Sequence, residues 1–177
     1  AANNSNFNAQ IEDGDFSNSG LNGINLAFST GADGLITGVG VNPAAGLSSA
    51  GNILSGLLVD LQSGATLDAA FRDGSFSNNG VNAVNLTIDG TGTAARLNLT
   101  DIVAMNSAAD GFIFRAQNGG DLVAAGVGGS FNNSGNHGIR GLIDNGSSAS
   151  LDFDGTTVAN SQADGLYITA SQLSAFS

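Results

Sequence analysis

Carboxylates are the abundant ionisable groups of this 177-residue chain: 15 Asp and Glu stand against four basic residues and one His, and there is no Cys. All four basic residues are Arg, so any chemistry must rest on acids and on Arg72, Arg96, Arg115, Arg140 and His137. Two runs bring acids together, Glu12-Asp13-Gly14-Asp15 and Asp152-x-Asp154-Gly155. Oxygen ligands at that spacing suit Ca²⁺, which takes about six to eight of them. Asp13, Asp15, Asp152 and Asp154 are therefore the candidate calcium ligands, although neither run has the order of an EF-hand loop. Asp13, Asp33, Asp73, Asp89, Asp110, Asp154 and Asp164 each precede Gly, which is a turn signature that needs no catalysis to explain it. Glycoside hydrolysis needs two carboxylates about 5–9.5 Å apart, and no local motif sets such a pair. His137, inside Asn136-His137-Gly138-Ile139-Arg140, is expected to be a solvated turn residue.

The composition narrows the function classes. The net charge is −11 with no Lys, so the chain cannot neutralise a phosphate backbone and nucleic acid is excluded as a partner. No apolar run approaches the ~18 residues of a membrane span. The absence of Cys removes disulfides, zinc–thiolate sites and thiol nucleophiles. A surface of Asn, Ser, Thr, Gly and Asp points to an extracellular or cell-surface setting.

These groups are positioned by a repeat. An apolar residue, a spacer and Asn are followed, after four variable residues, by Gly or Ala, then by two apolar residues around a spacer. The phrase reads Phe16-x-Asn18 with Gly23-Ile24-x-Leu26 and Phe76-x-Asn78 with Ala83-Val84-x-Leu86. It returns as Asn106 with Gly111-Phe112-x-Phe114, Phe131-x-Asn133 with Gly138-Ile139, and Val158-x-Asn160 with Gly165-Leu166-x-Ile168. A weaker copy has Gly51 at the Asn position and Gly56-Leu57-x-Val59. The small-residue marks at 23, 56, 83, 111, 138 and 165 are spaced 33, 27, 28, 27 and 27 apart. Within each period, alternating apolar residues mark short strands with one buried face, separated by Ser-Gly, Asn-Gly and Asp-Gly turns. Three strands and three turns in ~27 residues make one coil of a parallel β-helix, so the expected fold is all-β, a single solenoid domain over residues 1–177 with about six coils.

The Asn-x(4)-Gly-apolar-x-apolar phrase, running from Phe16 to Ile168, resembles the parallel β-helix repeats of the pectate-lyase-like superfamily. The resemblance implies right-handed coiling. It leaves function open, because that superfamily holds polysaccharide lyases, glycoside hydrolases, tailspikes and structural or adhesive surface proteins. Residues 136–140 faintly echo the Gly-His-Gly motif of its polygalacturonase branch. The partner motifs are missing, and the Arg-Ile-Lys motif cannot exist without Lys.

Stacking the coils aligns Asn18, Asn78, Asn106, Asn133 and Asn160 as a structural ladder interrupted by Gly51. It also places Arg140 on an outward column between Ile113 and Tyr167, with Arg115 two residues along beside Thr87 and Leu142. Arg115, Arg140 and Tyr167 are thus the candidate glycan contacts. The 33-residue period adds about six residues near 40–50, expected to bulge between the second and third strands. The expectation is a non-catalytic, cofactor-free stalk, adhesin or filament subunit, whose coils are continued end to end by further coils or a second copy. The alternative is a domain that binds or cleaves an extracellular polysaccharide.

Overall fold

The computed structural model describes residues 5–41, 46–172 and 174–177. Among them there is no helix. The strands are β1 (Asn6–Glu12), β2 (Ile24–Phe28), β3 (Asp33–Val39), β4 (Leu47–Ser48), β5 (Leu57–Gln62), β6 (Thr66–Ser75), β7 (Val84–Asp89) and β8 (Ala94–Met105). They continue as β9 (Phe112–Gln117), β10 (Asp121–Val127), β11 (Ser130–Asn132), β12 (Ile139–Ile143), β13 (Ser148–Asp154), β14 (Thr157–Ala159), β15 (Leu166–Ala170) and β16 (Ala175–Phe176). One sheet runs β15-β12-β9-β7-β5-β2; the other runs β1-β3-β6-β8-β10-β13-β16, with β4, β11 and β14 paired alongside. The result is a parallel β-helix of about six coils spaced ~27 residues apart, as the alternation predicts.

Three corners hold the coils, and each uses a left-handed backbone. At the first, Asn18, Asn78, Asn106, Asn133 and Asn160 have φ between 55° and 58°, and Gly51 has φ 66°. Asn and Gly are the residues that adopt this conformation at least cost, which explains why Gly alone interrupts the Asn column. At the second, Thr30-Gly31, Ser63-Gly64, Asn118-Gly119 and Asn145-Gly146 carry positive φ at both residues. At the third, Asp13, Asp73, Asp101, Gly128 and Gly155 do the same with φ from 46° to 64°. There, in two coils, the expected second and third strands fuse into one bent strand. Arg72 pairs with Thr100 and Gly74 with Ile102, while Asp73 sits at the bend.

Of the seven Asp-Gly steps, those at Asp13, Asp73, Asp89-Gly90 and Asp154-Gly155 carry a positive φ at the Asp or the Gly. The remaining acids begin or end strands or occupy other turns, so the single turn reading is too broad. The long period shows as a change of register between β3 and β4. Val39 pairs with Arg72, an offset of 33, and Leu47 with Gly74, an offset of 27, so six extra residues lie between them. Of that loop, residues 42–45 lie outside the described residues.

The core is built of ladders. Leu57, Val84, Phe112 and Ile139 form one rung series, each at most 3 % exposed. Bulky rings are matched by glycine in an adjoining coil. A Cβ on Gly38 would stand 2.4 Å from the Phe71 ring, one on Gly126 2.2 Å from Phe153, and one on Gly141 2.3 Å from Phe114. The recurrent Gly/Ala marks have a related cause. A Cβ on Gly23 would meet Ser49 Oγ and Asn52 Nδ2, and one on Gly56 would meet Asn79 Nδ2 at 2.7 Å. Polar side chains of the next coil tuck against these positions, so room rather than backbone angle selects the small residue.

Candidate functional site

The polar side chains that gather most closely lie at the turn leading into β9, β12 and β15. Parallel pairing stacks the residue before each small mark, giving the column Asn82, Asp110, His137 and Asp164. Asn82 Oδ1 accepts the Asp110 backbone N–H (3.0 Å), and Asp110 Oδ1 accepts that of His137 (3.0 Å). Each Asx side chain thus caps the turn of the following coil, which is why the column is polar.

Asp110 is buried, with its side chain 3 % exposed. Its Oδ1 also accepts Asn136 Nδ2 and faces His137 Nδ1, both at 3.0 Å. A carboxylate oxygen that already accepts two N–H groups suits an imidazole N–H on Nδ1. His137 Nε2 then faces Asp164 Oδ2 at 3.5 Å, and Arg140 Nη1 stands 3.8 Å from Asp110 Oδ2. The expectation of a solvated His137 is corrected here: its side chain is only 12 % exposed, held by Asp110 and covered by the Tyr167 ring at 4.8 Å.

Pairing of β12 with β9 and β15 sets Arg140 between Ile113 and Tyr167. The guanidinium carbon lies 6.0 Å from the Tyr167 centroid, within cation–π range. Arg115 stands two residues further along β9 between Thr87 and Leu142. The structure therefore brings Arg140 and Tyr167 into contact and adds Asp110, His137 and Asp164, whose shared slot in successive coils is legible in the repeat but whose mutual contact is not. Chemically, a buried acid that fixes an imidazole through Nδ1 gives a rigid proton donor–acceptor array, flanked by one guanidinium and one half-exposed ring.

The calcium candidates are placed differently. Asp13 Oδ1 accepts the Val41 N–H at 2.6 Å. Asp15 bridges to Ser48, and its Oδ1 accepts the Ser17 N–H at 3.0 Å. Hydrogen bonds from the Ser17 hydroxyl and then the Ser17 backbone hold the Asp15 carboxyl below its ordinary value. Asp152 and Asp154 are exposed on β13. Among the described residues no three His, Asp or Glu side chains converge as a metal-binding group.

The Asn ladder is joined by its amides. Asn133 Nδ2 donates to Asn106 Oδ1 (3.2 Å), and Asn106 Nδ2 donates to Asn78 Oδ1 (3.1 Å). Compared with protein-family models, curated proteins and solved structures, the chain finds no match in any of the three.

Proposed function

We propose that this protein is a non-catalytic structural rod of the extracellular or cell-surface kind, in which coils are continued end to end. One observation carries the reading. In the ladder Leu57–Val84–Phe112–Ile139–Leu166 the first four residues are at most 3 % exposed, whereas Leu166 is 59 % exposed. The same holds in a second ladder, where Ala149 is 2 % exposed and its neighbour Phe176 43 %, and at the opposite end, where Phe7 is 51 % exposed. These apolar side chains are equivalent to core positions and lack only the next coil. The outer edges of β15 and β2 are parallel strand templates of the kind that recruit another strand. The strong negative charge opposes lateral association and leaves the ends as the adhesive surfaces. The resemblance to the pectate-lyase-like superfamily agrees with a surface location.

The test is sedimentation velocity across a hundredfold concentration range, with electron microscopy of the same samples. Concentration-dependent elongation with an axial repeat of about 30 Å, six coils at ~4.8 Å each, is expected. Leu166→Asp should abolish it. A species of constant mass, indifferent to Leu166→Asp, would overturn self-stacking.

A second reading is favoured by the contact of Arg140 with Tyr167 beside the Asp164 carboxylate. These are the polar–aromatic elements of a carbohydrate-binding face, with Arg115 at its margin. Glycan-array binding that is lost in Tyr167→Ala, with assembly unchanged, would establish it.

A further inference from the structure

One residue beyond each first-corner position, a side chain turns into the coil: Ser19, Asn52, Asn79, Ser107, Ser134 and Ser161. In the Asn coils this column ties neighbours together. Asn79 Nδ2 donates to Phe76 O (2.8 Å) and Ser49 O (3.2 Å), while Asn52 Nδ2 donates to Asn79 Oδ1 (3.0 Å). Asn79 Oδ1 also accepts the Asn52 backbone N–H at 3.0 Å. Among the Ser coils, the Ser19 hydroxyl reaches Phe16 O at 3.4 Å, whereas those of Ser107, Ser134 and Ser161 are buried without a hydrogen-bond partner, with Ser107 and Ser134 only 2 % and 0 % exposed.

The neighbouring backbone sharpens the point. Near Asn79, Met105 N donates to the Ser77 hydroxyl (3.1 Å) instead of to the main chain, and Phe76 O takes the Asn79 amide. Two coils on, Ala159 N likewise donates to a side chain, Asn132 Oδ1 (2.8 Å). Phe131 O stands where Phe76 O stands but within the β11–β14 ladder, and residue 134 has no amide to offer its second lone pair. A buried hydroxyl without a partner stands beside the space an amide fills elsewhere, and groups of this kind are almost always paired in native proteins. The part of Asn that Ser lacks is comparable in size to one water molecule, and two polar partners are enough to hold one.

We propose that the column Ser107–Ser134–Ser161 binds a file of internal waters, one per coil, with the water at Ser134 bridging Ser134 Oγ and Phe131 O. The first coils are then bolted by amides and the later ones by exchangeable water. This inference is independent of how the ends assemble.

A crystal structure of the full chain at about 1.5 Å or better tests it. A water peak within about 3.2 Å of both Ser134 Oγ and Phe131 O is expected. In Ser134→Asn the amide should expel that water, bond Phe131 O as Asn79 bonds Phe76 O, and raise the thermal midpoint by a few degrees. A wild-type map without the peak, or with Ser134 Oγ turned directly onto Phe131 O, overturns the proposal whatever the variants do. A Ser134→Asn map that retains the water overturns the bridging role.

Discussion

The left-handed Asn column makes an unusual demand: at position 106 glycine must be better than alanine. Asn106 has φ 58° and takes part in two amide bonds, to Asn78 at 3.1 Å and from Asn133 at 3.2 Å. Both bonds are exposed, so together they contribute about 1 kcal/mol, the low end of the usual range. Asn106→Ala loses them and adds a left-handed Cβ penalty of roughly 1–2 kcal/mol, for a total of about 2–3 kcal/mol. Asn106→Gly loses the same bonds without that penalty and adds about 0.4–1 kcal/mol of unfolded-chain entropy, for a total below about 2 kcal/mol. Urea unfolding followed by far-UV circular dichroism, compared at equal m values, measures both. In an ordinary strand position the order is reversed, since Ala is favoured over Gly. An alanine variant as stable as the glycine variant would refute the argument that backbone angle, more than amide bonding, selects the residue here.

Three further outcomes are expected. Gly126→Val should destabilise by about 1–3 kcal/mol, because its Cβ would lie 2.2 Å from the Phe153 ring; adding Phe153→Ala should cost less in that background than alone, as thermal melts of the four-member cycle would report. Asp110→Ala should cost about 3 kcal/mol, since it strands the His137 N–H, His137 Nδ1 and Asn136 Nδ2 in a buried turn; Asp110→Asn, which keeps an acceptor, should cost less in the same unfolding assay. The Asp15 carboxyl is held below its ordinary value of 3.8 by the Ser17 hydroxyl and backbone. The contribution is therefore present above the unfolded pKa and is lost as pH falls through the lower folded one, so Asp15→Asn should flatten the stability–pH curve below about pH 4 and leave its shape near neutrality unchanged.

Period and alternation made the coil legible, and with it the placement of outward residues. Arg140 lies between Ile113 and Tyr167, and Arg115 between Thr87 and Leu142, because fixed spacing in a parallel stack leaves no freedom of register. The six-residue insertion was legible for the same reason. The Gly–ring matches were not, since nothing in the sequence ties Gly38 to Phe71, and only the stack shows that one fills the volume the other leaves. Burial also escaped the reading of His137 and Asp110. A polar residue after a turn looks solvated in sequence, and it takes the covering side chains of the next coil, Tyr167 and Arg140, to close it off. The small marks were legible by their spacing, and the contacts at Gly23 and Gly56 show that space selects them.

The alternation of ring and glycine along one rung series also bears on how the chain finds its winding. Down that series stand Ile11, Gly38, Phe71, Leu99, Gly126 and Phe153. A solenoid of identical coils could skip one during folding and still match every rung to its neighbour. Here, skipping the coil of Gly126 would force Phe153 against Leu99, and skipping that of Gly38 would force Phe71 against Ile11. Each mis-threaded stack loses the glycine that Phe71 or Phe153 faces in the correct winding, so unequal rung sizes distinguish one coil from another.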